Sequence, residues 1–177
     1  VILNGTGDQT ITKTAGTLGS QSTWSINKTG GSASLASTIA HPSTITVDEG
    51  TIDANGNTLT TVGAFTLNDG GTFKLQGGET ITVPTLGAGS TTVMYTGAGA
   101  YPSLIAGNNY QNLTFSGSGN WTLNANLNAT GTLNARAADQ YGNYFSMTGA
   151  GAAAGAQYAL RAELSTGYTG AGGTYAF

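Results

Sequence analysis

Three acidic residues, Asp48, Glu49 and Asp53, crowd a short stretch just past the single histidine, His41. Carboxylates beside a basic group cleave glycosidic bonds, and clustered carboxylates also hold Ca²⁺. The setting argues for a plainer role. Asp48 and Glu49 run straight into Gly50, as a turn does, and no Arg or Lys sits near a convergent acidic pair. Solvated corner residues are therefore the expectation here, and Asp69 and Glu79 read the same way. His41 precedes Pro42 in what reads as a loop. A lone histidine without cysteine makes no zinc site. Asp53-x-Asn55-x-Asn57 lacks the sixth-position glycine and distal glutamate of a Ca²⁺ loop, so Asx turns explain it better. No catalytic residue, cofactor site or metal site is expected.

Other side chains suit binding rather than catalysis. Tyr95, Tyr101, Tyr110 and Tyr168, if exposed, could hold glycans together with neighbouring amides. Thr-x-Thr pairs begin at Thr10, Thr44, Thr58 and Thr80, at offsets of 34, 14 and 22. That spacing is too irregular for the ordered threonine ranks of an ice-binding face. Asn-x-Ser/Thr sequons begin at Asn4, Asn27, Asn112, Asn120 and Asn128, as an Asn- and Thr-rich composition produces. No phosphate-cradling Gly-x-x-x-x-Gly-Lys-Ser/Thr string occurs.

The elements that must position these residues are short strands. Thr23-Trp24-Ser25-Ile26, Ala64-Phe65-Thr66-Leu67, Thr72-Phe73-Lys74-Leu75 and Asn112-Leu113-Thr114-Phe115 alternate apolar with polar, the period of a strand with one buried face. Gly, Asn, Asp and Ser separate them, as in Asp53-Ala54-Asn55-Gly56-Asn57. A Gly-Thr-apolar unit returns at Gly16, Gly50, Gly71 and Gly131, the middle two 21 residues apart. Coils of about 20 residues would give that interval. The alternation assigns Ile11, Trp24, Ile45, Phe65, Leu67, Phe73, Leu75, Ile81, Val93, Leu113, Phe115, Trp121 and Leu123 to a core. The fold class expected is all-β, a right-handed parallel β-helix, with a β-sandwich as the alternative.

A different pattern begins after about residue 134. Tyr141, Tyr158 and Tyr175 recur every 17 residues between Gly- and Ala-rich stretches. The organisation expected is a β-solenoid over 1–134 and a distinct region of short β repeats over 135–177. Ala152 to Leu164 is rich in helix formers, so a helix there is the competing reading.

Composition narrows the class. Charged residues make up 7% of the chain, against roughly 25% in ordinary domains. Recurrent β-branched and aromatic residues argue against disorder. With 3 prolines and no glycine at every third position, collagen is excluded. Five basic residues, Lys13, Lys28, Lys74, Arg136 and Arg161, lie apart, and the net charge is −3. Nucleic acid is therefore not an expected partner. No apolar run approaches the roughly 18 residues of a membrane span, so no membrane insertion is expected. The first residues carry no signal-peptide pattern, which fits a mature form, a fragment or an intracellular protein. With no cysteine, stability must come from packing and backbone ladders.

Several phrases carry a family resemblance. Leu3-Asn4-Gly5-Thr6-Gly7-Asp8-Gln9-Thr10-Ile11-Thr12, Gly50-Thr51-Ile52-Asp53-Ala54-Asn55-Gly56-Asn57-Thr58-Leu59 and Tyr110-Gln111-Asn112-Leu113-Thr114-Phe115 are similar to those of large repetitive bacterial surface proteins. These are the autotransporter passengers and filamentous-haemagglutinin-like adhesins. The resemblance covers roughly residues 1–134 and implies a right-handed β-helix without shared catalytic residues. The tyrosine repeats resemble those near the ends of phage tail fibres. The expected function is a non-enzymatic, structural, surface-displayed or filament-forming extracellular segment that self-associates. An adhesin or virion-fibre module that binds host glycans is the alternative, and a polysaccharide-degrading enzyme the third reading.

Overall fold

Every strand pairing among the described residues is parallel, as a solenoid requires and a sandwich does not. The structure, a computed structural model, describes residues 1–19, 23–41, 43–122, 125, 127–135 and 161–162. No helix occurs among them. The expected core position Leu123 and the tyrosine repeats at 141, 158 and 175 lie outside the described residues.

The chain opens with β1 (Ile2–Asn4) and β2 (Gln9–Ile11). The long β3 (Trp24–Leu35) follows, then β4 (Ile39–His41), β5 (Ile45–Asp53), β6 (Leu59–Thr61), β7 (Phe65–Leu67) and β8 (Gly71–Leu75). Later coils use shorter strands: β9 (Thr85–Leu86), β10 (Thr92–Tyr95), β11 (Ala100–Tyr101), β12 (Asn109–Tyr110) and β13 (Asn112–Phe115). The last are β14 (Asn120–Trp121), β15 (Asn128–Ala129), β16 (Leu133–Ala135) and β17 (Arg161–Ala162).

Three sides result. The first stacks β1, the starts of β3 and β5, β7 and β9. The second stacks β2, the ends of β3 and β5, then β8, β10, β13, β16 and β17. The third pairs β4 with β6, which bridges onward to Ile81. In later coils β11 pairs with β14, and β12 pairs with β15 just before β13 and β16. β3 and β5 bend through a corner, so eleven strands of the first two sides form one sheet.

Register explains the core. Partners lie 20 residues apart at Ile45↔Phe65, Thr72↔Thr92 and Leu113↔Leu133. Inward residues therefore stand in columns. Ala33, Ile52, Phe73, Val93, Leu113 and Leu133 form one, all buried. Trp24, Ile45 and Phe65 form another. Each large apolar side chain so buried contributes roughly 1.5–3 kcal/mol. Of the expected core, Ile11 and Ile81 are only partly buried, because each packs at the edge of its column. Three copies of the recurring Gly-Thr-apolar unit stack in a column, since Gly50 pairs with Gly71 and Leu133 stands above Ile52 and Phe73 on the same side, whereas the copy at 16–18 joins no ladder.

Gly50 carries the corner of β5 at φ +82°, and a Cβ there would fall 2.4 Å from the Lys28 carbonyl oxygen. Gly50→Ala is accordingly expected to destabilise the coil stack by about 2–4 kcal/mol. Urea unfolding followed by circular dichroism checks this. A midpoint equal to that of the parent would show that the corner can relax.

Candidate functional site

Among the described residues, every acidic side chain but Glu49 is tied to a neighbouring coil. Asp48 accepts from Ser25 Oγ at 2.7 Å and Asn68 Nδ2 at 2.8 Å. Asp53, at the far end of β5, accepts from Asn55 N at 2.8 Å and pairs with Lys74 Nζ at 2.8 Å. Asp69 accepts from Gly89 N at 2.9 Å. Asp8 accepts from Ser32 N and Ser32 Oγ, and the Ser32 backbone bond holds its carboxyl below the usual range. Glu79 takes three backbone donors, Gly56 N at 3.1 Å, Gln76 N at 2.6 Å and Gly77 N at 2.7 Å.

Two of these overturn the expectation of solvated corners. Asp53 and Glu79 are buried. Corner peptides leave N–H groups that no ladder satisfies, and a carboxylate is the strongest acceptor available to them. The Asx-turn reading of 53–57 holds: Asp53 caps Asn55 N, Asn55 adopts φ +49°, and Asn55 and Asn57 both donate to Leu35 O.

His41 is likewise no loop residue. It ends β4, is buried, and meets Trp24 edge-on at 4.6 Å. Burial holds its pKa below the ordinary imidazole value. Ser43 N–H donates to Nδ1, so that nitrogen carries no proton. Lys28, which the sequence does not single out, is also buried, its ammonium on Gly7 O at 2.7 Å and Gln9 Oε1 at 3.1 Å. It links the first coil to the second.

The tyrosines need the largest correction. Tyr95 and Tyr110 are buried, not exposed. Tyr95 stacks on Phe115 at 5.5 Å, and its hydroxyl accepts from Ala106 N at 3.0 Å. The two hydroxyls meet at 3.3 Å, and Tyr110 Oη also donates to Gly107 O. Tyr101 is half-buried against Trp121, with the rings 5.4 Å apart and nearly parallel. Tyr168 lies outside the described residues. The ladder itself is the cause: Leu75, Tyr95 and Phe115 occupy one inward column.

A surface groove of about 420 Å³ opens beside β9. Val83, Pro84 and Leu86 border it on one coil, 106–111 on the next, and Asn128 and Thr130 on a third. The outer face of the second side carries one hydroxyl rank, Ser32, Thr51, Thr72 and Thr92, but its neighbouring rank runs Ser34, Asp53, Lys74 and Met94. A regular two-rank threonine array does not form there.

The described chain is thus a parallel β-solenoid whose acidic side chains serve its corners. Comparison with family models, curated proteins and solved structures gives no match.

Two outcomes follow from these contacts. Glu79→Gln keeps the shape but turns one acceptor into a donor facing a backbone N–H. A loss of about 2–3 kcal/mol in unfolding free energy is expected, measured against the parent in urea. Burial also raises both core phenols, Tyr95 to about 12 and Tyr110 as well. An unfolded tyrosine ionises near ~10, so above that pH the unfolded chain sheds protons that the native chain keeps. Stability is full below pH ~10 and falls as pH rises toward the folded values. At least two of the eight tyrosines should then stay out of the phenolate absorbance titration until the circular dichroism signal is lost. Complete titration of a still-folded chain would contradict this.

Proposed function

We propose that this chain is a structural, non-catalytic solenoid segment, displayed outside the cell or built into a filament, and that it self-associates. The observation that carries the reading is the use made of the polar side chains. Asp8, Asp48, Asp69 and Glu79 spend their acceptors on hydrogen bonds between coils, and Asp53 and Lys74 pair across adjacent rungs. Such a chain invests its chemistry in length and stiffness. Low charge, at 7%, and the absence of cysteine suit a segment whose rigidity does not depend on redox conditions. A polysaccharide-degrading site would need carboxylates free to act on a substrate, and these are committed to partners within the fold, Asp53 and Glu79 to consecutive N–H groups of one turn.

Stacked parallel strands offer an open edge at each end of a ladder, the surface through which like chains join. The test is electron microscopy of the purified chain, with sedimentation velocity over a concentration series. Rods or filaments that lengthen with concentration are expected. Monomers alone at the highest concentration would sink the self-association part of the proposal.

A further inference from the structure

The groove on three consecutive coils carries an inference beyond the structural role. Its origin is a break in the first side. The ladder of β5, β7 and β9 ends at β9, a strand of two residues preceded by Pro84. The next short ladder, β12 with β15, starts elsewhere on the coil. The gap between them is the groove, bordered by side chains instead of paired backbone.

Its chemistry is selective. No charged side chain lines it. Val83, 54% exposed, and the half-buried Leu86 give it an apolar wall, backed by the buried Pro84, Ala106 and Tyr110. Asn109 and Asn128 are exposed, in register one above the other, and joined by only a long 3.4 Å contact. Most of their amide donors and acceptors therefore face solvent. Gln111 and Thr130 repeat the arrangement beside them, with a 2.6 Å bond between the side chains. Asn108 adds an amide oxygen shielded from solvent that takes no hydrogen bond, which a donor would satisfy once the amide turned toward the groove.

We propose that this groove binds a neutral saccharide. Amides offer a donor and an acceptor side by side, which matches vicinal hydroxyls, and an apolar wall accepts the C–H face of a pyranose ring. Phosphates, sulfates and uronates would find no cation here. A nucleobase would find no exposed ring to stack on, because Tyr110 is buried. The groove's volume lies within the range of small-molecule sites, at about 300–1,000 Å³. Its amide ranks run along the solenoid axis, so a chain of sugars would lie across successive coils.

The full chain is to be titrated by calorimetry with cello-, malto- and chito-oligosaccharides, and with heparin and polygalacturonate as polyanions. Binding is expected for at least one neutral series and for neither polyanion. Val83→Arg, which puts bulk and charge at the edge, and the double variant Asn109→Ala/Asn128→Ala should each weaken it about tenfold or more. Thr72→Ala, on the second side, should leave affinity unchanged, and circular dichroism should show all variants folded. No binding of any neutral series, equal binding of a polyanion, or parent-like affinity in both groove variants would overturn the proposal. Filament formation is measured separately, so this outcome leaves the structural reading untouched.

Discussion

The stacking of one coil on the next through parallel backbone hydrogen bonds is the constraint from which the rest follows. Strands so paired stand about 4.8 Å apart. Whatever a coil places inward must pack on the residue one coil below. That is why Leu75, Tyr95 and Phe115 stand in line, and why Tyr95 and Phe115 lie nearly parallel. Tyr101 and Trp121 repeat the geometry on β11 and β14. Aromatic residues enter the inward columns in early coils as Trp24, Phe65 and Phe73 and in later ones as Tyr95, Phe115 and Trp121. A phenol inside such a column must find a partner for its hydroxyl. The loop at 106–107 supplies a backbone donor to Tyr95 and a backbone acceptor to Tyr110.

Corners are where the ladder fails, and the polar residues are concentrated there. A coil that turns three times leaves peptide groups without strand partners. Glu79 collects three of these N–H groups, and Asp8 and Asp69 one each from the coil above. Lys28 serves the opposite sign, donating to the carbonyl of Gly7. Asp8, Asp48, Asp53, Asp69, Glu79, Lys28 and Lys74 are therefore fasteners between coils. The scarcity of charge, at 7%, is compatible with a fold whose outer faces carry hydroxyls and amides.

Alternation made most of the core legible in the sequence, and its errors came where residue type was allowed to override the period. Val93 points inward, so Tyr95 two residues on must do so too, yet a tyrosine reads as a surface residue. Ile39 is buried, and the same step of two buries His41. Trp24 and Ile26 lead likewise to Lys28. Tyr110 was beyond this logic. It does not share the parity of Leu113 and Phe115, because Gln111 interrupts the strand and resets the alternation. Asp53 is outward by period and buried all the same, covered by Lys74 and the turn at Asn55. Such burial depends on the neighbouring coil, and no local window of sequence contains that coil.

The groove could not be read from local sequence for the same reason. Its residues come from three coils and meet only through register. One signal was present. Proline has no N–H to give to a ladder, so within a sheet it marks an edge or an ending. Pro84 directly precedes β9, which is reduced to two residues, while the strands below it on the first side, β7 and β5, are longer. Where that side stops, the solenoid no longer presents a closed wall of paired backbone. Side-chain amides come to the surface in ranks whose spacing the surrounding ladders still set. A break in a rigid repeat thus produces a site with a fixed geometry at no cost to the columns behind it, since Val93, Tyr95 and Leu113 continue unbroken on the second side.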